Sequence, residues 1–240
     1  MNNNTIEFQV SGKYALFTDP ITRMGGMKST YLIPTYQGLV GIADACYWKP
    51  TFRWRIIEVR VMNKIQMQTK ATIGVKYKVE KGGSAWERVE YTYLKDVEYQ
   101  VRAAFEWDMT HDELAEDRNE MKHREIALRS VNKGGRRAIV LGTSECGAFI
   151  EPCKFGDGQG AYDDIDLIEF GLMFHGFDYP TVETEKLKAR FWRSRMHNGI
   201  IEFPAPNQCA PELVREIKDY SAKKIYSSPE RAEYEREELL

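Results

Sequence analysis

Between residues 97 and 107 the chain reads VEYQVRAAFEW, and Val97, Tyr99, Val101, Ala103, Phe105 and Trp107 occupy every second position. A period of two places these side chains on one face of an extended strand. That face must be covered, so the search is for its partners. Residues 6–17, IEFQVSGKYALF, repeat the pattern with Ile6, Phe8, Val10, Tyr14 and Leu16. In TFRWRIIEVRVMNKIQM, Phe52, Trp54 and Ile56 share one parity while Ile57, Val59 and Val61 share the other. Such a phase change predicts a bulge, or burial of both faces. Residues 70–95 read as a hairpin-like excursion around Lys81-Gly82-Gly83-Ser84.

Two segments carry helical periodicity instead. Pro34 suits a helix start, and TYQGLVGIADACYW places Tyr36, Leu39, Val40, Ala43 and Tyr47 on one side, with Tyr47 in the last turn before Pro50. The second helix contains RNEMKHREIALRS; Thr110 with Glu113 fits a capping box, or Asn119 caps a shorter helix. Gly134-Gly135 supply a left-handed stop, and a strand follows within residues 138–154. The order strand, helix, strand, strand, helix, strand predicts an α+β fold with a ferredoxin-like (RRM-like) βαββαβ N-terminal domain over residues 1–155. From residue 156 the glycine-rich FGDGQGAYDD is a connection, then LIEFGLMFHGFDY, LKARFWRSRM and GIIEFP suggest a smaller β-rich C-terminal domain (156–240), ending in a helical tail after Pro211.

Composition excludes several classes. No apolar run approaches the length of a membrane span, and the polar start MNNNTIEF has no signal-peptide character, so a cytoplasmic protein with no membrane partner is expected. Cys46, Cys146, Cys153 and Cys209 form no C-x-x-C pair, and the four histidines no H-x-x-x-H, so reduced thiols and no bound metal or other cofactor are expected. The formal net charge is −2, but residues 106–120 alone hold seven acids and one base. A basic surface can therefore exist elsewhere on a globally neutral chain.

Lys122 and His123 are the pair that invites chemistry. Neighbours on a helix diverge by roughly 100°, so both cannot enter a core, and their spacing to Ile126 places them at the edge of the apolar stripe. From that rim an imidazole can move a proton and an ammonium can steady negative charge. The ordinary reading is a solvated Lys-His dipeptide. Tyr47 is either a buried aromatic or a phenol reaching past the sheet edge. In KGGRRAIVLG (133–142), Gly134 and Gly135 let backbone N–H groups approach a phosphate, and Arg136 and Arg137 can grip its oxygens in a two-pronged way; a plain helix cap with solvated arginines is the alternative. Arg190, Arg193 and Arg195, interleaved with Phe191 and Trp192, form either a stacking surface or a solvated strand face.

The segments YALFTDP, IPTYQGLVGIADACYWKP, IQMQTK, TYLKDVEYQV, DRNEMKH, NKGGRRAIVLGTSECGAFIEPC and MFHGFDYP, in this order over about residues 6–205, together resemble the CRISPR-associated Cas-five family, in the type I-C subgroup that processes precursor CRISPR RNA. The resemblance implies a RAMP-superfamily protein that cuts the CRISPR repeat RNA without a metal, retains the 5′ handle and joins a Cascade complex with its backbone and large subunits. It places catalysis at Tyr47, Lys122 and His123; of these Lys122 suits charge stabilisation, His123 is the preferred proton-transfer group, and Tyr47 is either its acid–base partner, in either order, or a group that orients the 2′-hydroxyl. Lys133, Gly134, Gly135, Arg136, Arg137, Arg118 and Lys28 are the expected RNA contacts. A non-catalytic scaffold capping the 5′ handle is the alternative from another functional class; no dinucleotide fingerprint or nucleophile elbow points to a different enzyme.

Overall fold

The computed structural model describes residues 4–18, 27–76, 83–110, 112–180 and 186–219. Its chain order is β1 (Thr5–Ala15), α1 (Tyr36–Cys46), β2 (Phe52–Val61), β3 (Met67–Val75), β4 (Trp86–Trp107), a 3-10 turn (Asp112–Asp117), α2 (Glu120–Asn132), β5 (Phe149–Pro152), β6 (Ile168–Asp178), β7 (Lys186–Met196), β8 (Ile200–Glu202) and β9 (Val214–Asp219). The chain is α+β, with two antiparallel sheets. One runs β5-β1-β4-β2-β8, with β3 also on β4; the other runs β6-β7-β9.

β4 organises the first sheet. Its second half pairs with β1 on one side and β2 on the other, while its first half pairs with β3 as a ribbon extending from the sheet. The alternating residues expected on one face are there: Ile6, Phe8 and Val10 of β1 and Tyr99, Val101, Ala103 and Phe105 of β4 are buried. The phase change in β2 is a register shift between Ile56 and Glu58. Ile57 is the extra residue, which lets Trp54 and Ile56 before it and Val59 and Val61 after it all reach the core.

α1 begins at Tyr36, two residues after Pro34, because the Thr35 side chain caps it, accepting a hydrogen bond from the Gly38 amide at 3.2 Å. It buries Tyr36, Leu39, Ile42, Ala43 and Cys46. α2 follows the shorter of the two expected versions: Asn119 caps it, accepting from the Lys122 amide at 3.0 Å. Thr110 caps nothing, since its amide and hydroxyl both turn back to the Asp108 carboxylate. The strand expected within 138–154 is limited to β5.

The opposite face of the sheet is polar and clamped to the glycine-rich connection. Arg60 reaches the carbonyls of Asp157 and Gly158 at 3.2 and 3.0 Å and pairs with Asp163 at 2.6 Å; Gln100 donates to Asp157 O at 2.7 Å. Past this connection the chain builds the second sheet, and then β8 returns to pair with β2 as an edge strand of the first. Met173, Trp192 and Met196 share one core with Ile201, Phe203 and Tyr36. The tail departs from expectation: residues 214–219 are the strand β9, because Val214–Lys218 find ladder partners on β7. Residues 220–240 of the expected helical tail, and Lys81-Gly82 of the expected turn, lie outside the described residues. Among the described residues no helix is long and apolar enough to cross a membrane.

Candidate active site

A helix leaves its last carbonyls without intrahelical donors. At the end of α1 three donors from the second half of the domain supply the need. The amides of Arg136 and Arg137 both donate to Ala45 O at 3.1 Å, and the Ser130 hydroxyl of α2 donates to Cys46 O. Tyr47 is the next residue, already extended at φ −156 and ψ 121. Its own carbonyl accepts from the Trp54 indole at 2.7 Å. The backbone that presents the phenol is thus fixed from both sides.

α2 brings His123 to that phenol. Few residues of this helix are buried, namely His123, Ala127, Ser130 and Val131, spaced along one stripe. The imidazole has no exposed surface, and Tyr47 is 1% exposed. Phe52, Phe105 and Trp107 surround the ring at centroid distances of 5.4, 6.2 and 5.6 Å. The expected rim position is therefore wrong for His123: the first turn of α2 lies over the aromatic end of β2 and β4, and the imidazole fills the space between them. Lys122, a turn-neighbour pointing about 100° away, keeps the exposed position, with half its side chain in solvent.

Both imidazole nitrogens are occupied. Nδ1 lies 2.8 Å from the Tyr47 hydroxyl, and Nε2 lies 2.7 Å from the backbone carbonyl of Asp117. A carbonyl oxygen only accepts, so Nε2 carries a proton; in the neutral ring Nδ1 then accepts from the Tyr47 hydroxyl. The hydrogen-bond pattern assigns the tautomer and aims a proton acceptor at the phenol.

Asp117 is the hub that the sequence did not single out. Its carboxylate pairs with Lys122 and accepts from the buried Thr51 hydroxyl at 2.9 Å, while its carbonyl holds His123. The hydrogen bond from Lys122, helped by that from Thr51 and by the nearby imidazole, keeps the Asp117 carboxyl below the usual carboxylate range. Tyr47 moves the other way: burial raises its pKa, the Asp117 charge adds to this, and Arg136 opposes it. The Arg136 guanidinium sits 4.7 Å from the centre of the Tyr47 ring. Asp117 occurs in the DRNEMKH segment, but it precedes the helix cap, so no helical spacing linked it to Lys122 and His123.

The glycine-rich segment does less than one expectation and more than the other. The amides of Lys133, Gly134 and Gly135 donate to Ser130 or Val131 carbonyls, and those of Arg136 and Arg137 to Ala45. These five N–H groups are spent on helix ends, so the backbone cradle for phosphate is not formed. Gly134 and Gly135 take φ of 82° and 95°, the left-handed stop that was expected. The side chains of Lys133, Arg136 and Arg137 remain exposed, and that of Arg136 lies over the Tyr47 ring. Arg118 is turned inward to Asp108 O at 3.2 Å and so supports the acidic turn. Lys28 is elsewhere, against Tyr91 of the β3–β4 ribbon. On β7, Arg190 and Trp192 are buried while Arg193 and Arg195 are exposed, so that segment is an alternating strand. Among the described residues no three His, Cys, Asp or Glu side chains gather as a metal site.

The sequence matches the family model described as CRISPR-associated protein (Cas_Cas5) over residues 5–204. It is 25% identical over 232 residues to the CRISPR pre-crRNA endoribonuclease Cas5d of Mannheimia succiniciproducens, covering 84% of this chain and 95% of that protein. The protein of the same name from Thermus thermophilus is 28% identical over 225 residues, covering 83% and 91%. A crystal structure of a CRISPR-associated protein has a TM-score of 0.72 and 35% identity, covering 88% of this chain and 96% of that one. The functionally uncharacterized protein SMU1763c from Streptococcus mutans also gives 0.72, at 37% identity and the same coverage. With 200 consecutive positions matched by the model and relatives aligned along nearly their full length, this chain belongs to the CRISPR-associated Cas5 family, in its type I-C branch.

Proposed function

We propose that the protein is a metal-independent endoribonuclease that cuts precursor CRISPR RNA within the repeat. The observation that carries this reading is the contact of Tyr47 with His123 at 2.8 Å, joined through Asp117 to the half-exposed Lys122. Two relatives named pre-crRNA endoribonuclease support the same substrate class.

In this mechanism the ribose 2′-hydroxyl is the nucleophile. Its proton passes by way of the Tyr47 phenol to His123 Nδ1 as the 2′-oxygen bonds to phosphorus, the bond to the 5′-oxygen breaks, and the imidazolium returns that proton through the phenol to the leaving oxygen. The products are a 2′,3′-cyclic phosphate and a 5′-hydroxyl. His123 Nδ1 accepts from Tyr47, so a phenol that receives the 2′-hydroxyl proton hands its own to the imidazole. A raised Tyr47 pKa favours this relay over a standing phenolate. Lys122 faces the phosphorane charge, an effect typically worth several kcal/mol in a water-poor site. Phosphate binding at Lys122 competes with the Asp117 carboxylate, while the Asp117 carbonyl keeps its hydrogen bond to His123 Nε2.

The test is incubation of the purified protein with repeat RNA in EDTA, with analysis of the new ends. Cyclic phosphate and 5′-hydroxyl ends are expected, and a single 2′-deoxy nucleotide at the cut should stop cleavage while leaving binding nearly intact. Continued cleavage of the deoxy substrate would exclude the mechanism. A second reading, a scaffold that holds the 5′ handle without cutting, draws on the complete burial of His123; RNA retained uncut would establish it. Both readings place the protein with Cascade backbone and large subunits in the cytoplasm. The order β5-β1-β4-β2, with a helix after β1 and another after β4, supports the ferredoxin-like assignment for residues 1–155, and the separate β6-β7-β9 sheet supports a second unit within 156–240.

A further inference from the structure

Beyond Val97, β4 passes the left-handed Asp96 (φ 50°) to Lys95, which pairs with Tyr14 of β1, and runs on to Tyr93 and Tyr91. Across the ribbon, Gln68 stands opposite Tyr93 and Lys70 opposite Tyr91, so all lie on one side. Three aromatic rings follow one another there. Tyr14 and Tyr93 meet edge-on at 5.8 Å, and Tyr91 and Tyr93 at 6.4 Å. Lysines hold their outer surfaces: Lys70 Nζ lies 3.4 Å from the centre of Tyr14, and Lys28 Nζ lies 4.9 Å from that of Tyr91.

Tyr14 and Tyr93 pack against the edge of the core, yet their rings are not enclosed by it. Each of the three rings and both lysines is partly exposed. The other side of the same ribbon has a different chemistry, with Met67, Ile73, Val75 and Trp86 exposed. The tyrosine side carries Gln68 and Lys70 opposite its rings, whereas the other mixes these apolar groups with Thr69, Arg88 and Glu90. Glu87 lies on the same side as the tyrosines further along the ribbon, and the Glu145 charge adds to burial in raising the Tyr93 phenol. The loop that carries Glu145 starts at Arg136 over Tyr47, so it links this side to the candidate active site.

We propose that Tyr14, Tyr91 and Tyr93, with Lys28 and Lys70, form a stacking platform for unpaired nucleotides of the RNA at a distance from the cut. Successive bases stack on aromatic rings whatever their sequence, and ammonium groups between the rings track the phosphates. A base arriving over Tyr14 or Tyr91 takes the place of the ammonium, which shifts to the adjoining phosphate. The platform is remote: Tyr93 and Trp107, the latter beside His123, are the length of about 14 residues apart along β4, roughly 45 Å at ~3.3 Å per residue. It therefore reads single strand outside the cleaved linkage. This proposal rests on the RNA-processing reading and adds the part of the substrate that the ribbon would hold.

The experiment compares wild type with Tyr91→Ala, Tyr91→Phe and Lys70→Ala for binding and cleavage of repeat RNA, carrying 2-aminopurine at successive unpaired positions. Far-UV spectra and melting curves establish that each variant is folded. The expected result is quenching of 2-aminopurine at one short unpaired run, lost in Tyr91→Ala and kept in Tyr91→Phe. Affinity should fall roughly 5- to 100-fold for Tyr91→Ala, the range for one stacked base. Lys70→Ala should lower the salt slope by ~0.7, as expected for one phosphate on a single strand. Cleavage at saturating protein should stay near wild type in all three. Wild-type affinity and quenching in Tyr91→Ala would overturn the platform while leaving the RNA reading in place. Loss of a partner protein without loss of RNA would likewise overturn it, by assigning the ribbon to a protein contact. Failure of the wild type to bind any repeat RNA would overturn both.

Discussion

Tyr47 and His123 are hydrogen-bonded at 2.8 Å across 76 residues of sequence, and neither has more than 1% of its surface in solvent. The bond joins the end of α1 to the first turn of α2 beneath the aromatic end of the sheet. Tyr47→Phe keeps the packing and removes the donor, leaving Nδ1 buried without a partner. A stability loss of about 1–3 kcal/mol is expected in urea titrations. Single-turnover cleavage should drop by about 10²-fold or more with RNA affinity unchanged. An unaltered rate would remove the phenol from the chemistry.

His123→Ala opens a cavity among Phe52, Phe105 and Trp107, so a destabilisation of about 2–4 kcal/mol is expected, as for other large buried groups. The informative variant is His123→Gln, which retains polar contacts at similar volume. It should stay folded, bind RNA like wild type and cleave about 10²–10⁴-fold more slowly. A folded, fully active His123→Gln would make the imidazole a packing element only.

Lys122 and Asp117 separate charge stabilisation from closure of the site. Lys122→Ala breaks a half-exposed ion pair, so stability should change by under about 1 kcal/mol. Its cleavage rate should fall by about 10²–10³-fold, as on losing one group that stabilises transition-state charge. Asp117→Ala removes the carboxylate from Lys122 but leaves a backbone carbonyl for His123. RNA affinity, measured by fluorescence anisotropy, should rise; weaker binding would contradict competition between phosphate and Asp117.

Much of this architecture was legible because period-two patterns are read locally. The faces of β1 and β4 and the bulge at Ile57 followed directly from alternation. β9 was missed because Val214–Asp219 alternates little and acquires its strand geometry from ladder bonds to β7. In the site, the residue types of Tyr47, Lys122 and His123 were apparent, whereas their burial was not. Helical spacing put His123 at a stripe edge; the aromatic residues that enclose it come from β2 and β4, far away in sequence. The role of the Gly134–Arg137 amides was hidden for a similar reason, since their acceptors include Ala45 on the other helix.

His175 offers a pH test apart from catalysis. It is buried, stacks on Tyr36 at 4.2 Å and bonds to Pro204 O at 2.9 Å, and burial pushes its pKa down to about 4. In the unfolded chain the ordinary value is about 6.5. Between these values the unfolded state binds a proton that the folded state refuses, so stability is full above about pH 6.5 and declines toward about pH 4. The slope from this residue is at most about 1.4 kcal/mol per pH unit. Urea midpoints for His175→Phe, which keeps a ring over Tyr36, should be flatter with pH over that window.

Arg60 is the residue on which the glycine-rich connection depends. It is 5% exposed, and its guanidinium meets Asp163, Gln100 and two backbone carbonyls. Arg60→Ala strands Asp163 and should cost about 3–5 kcal/mol. Hydrogen exchange should accelerate first at Gly160, whose amide bonds to the Asp163 carboxylate at 2.7 Å.

The return of β8 to β2 means that the two halves of the polypeptide are not separable pieces. A fragment stopped before residue 156 would bare the ladder groups of Glu58–Arg60 and strip the cover from Tyr36, leaving an adhesive border prone to self-association. The intact chain should melt in one calorimetric transition, and a swap of the C-terminal half between relatives should succeed only when β8 travels with a β2 shaped to receive it.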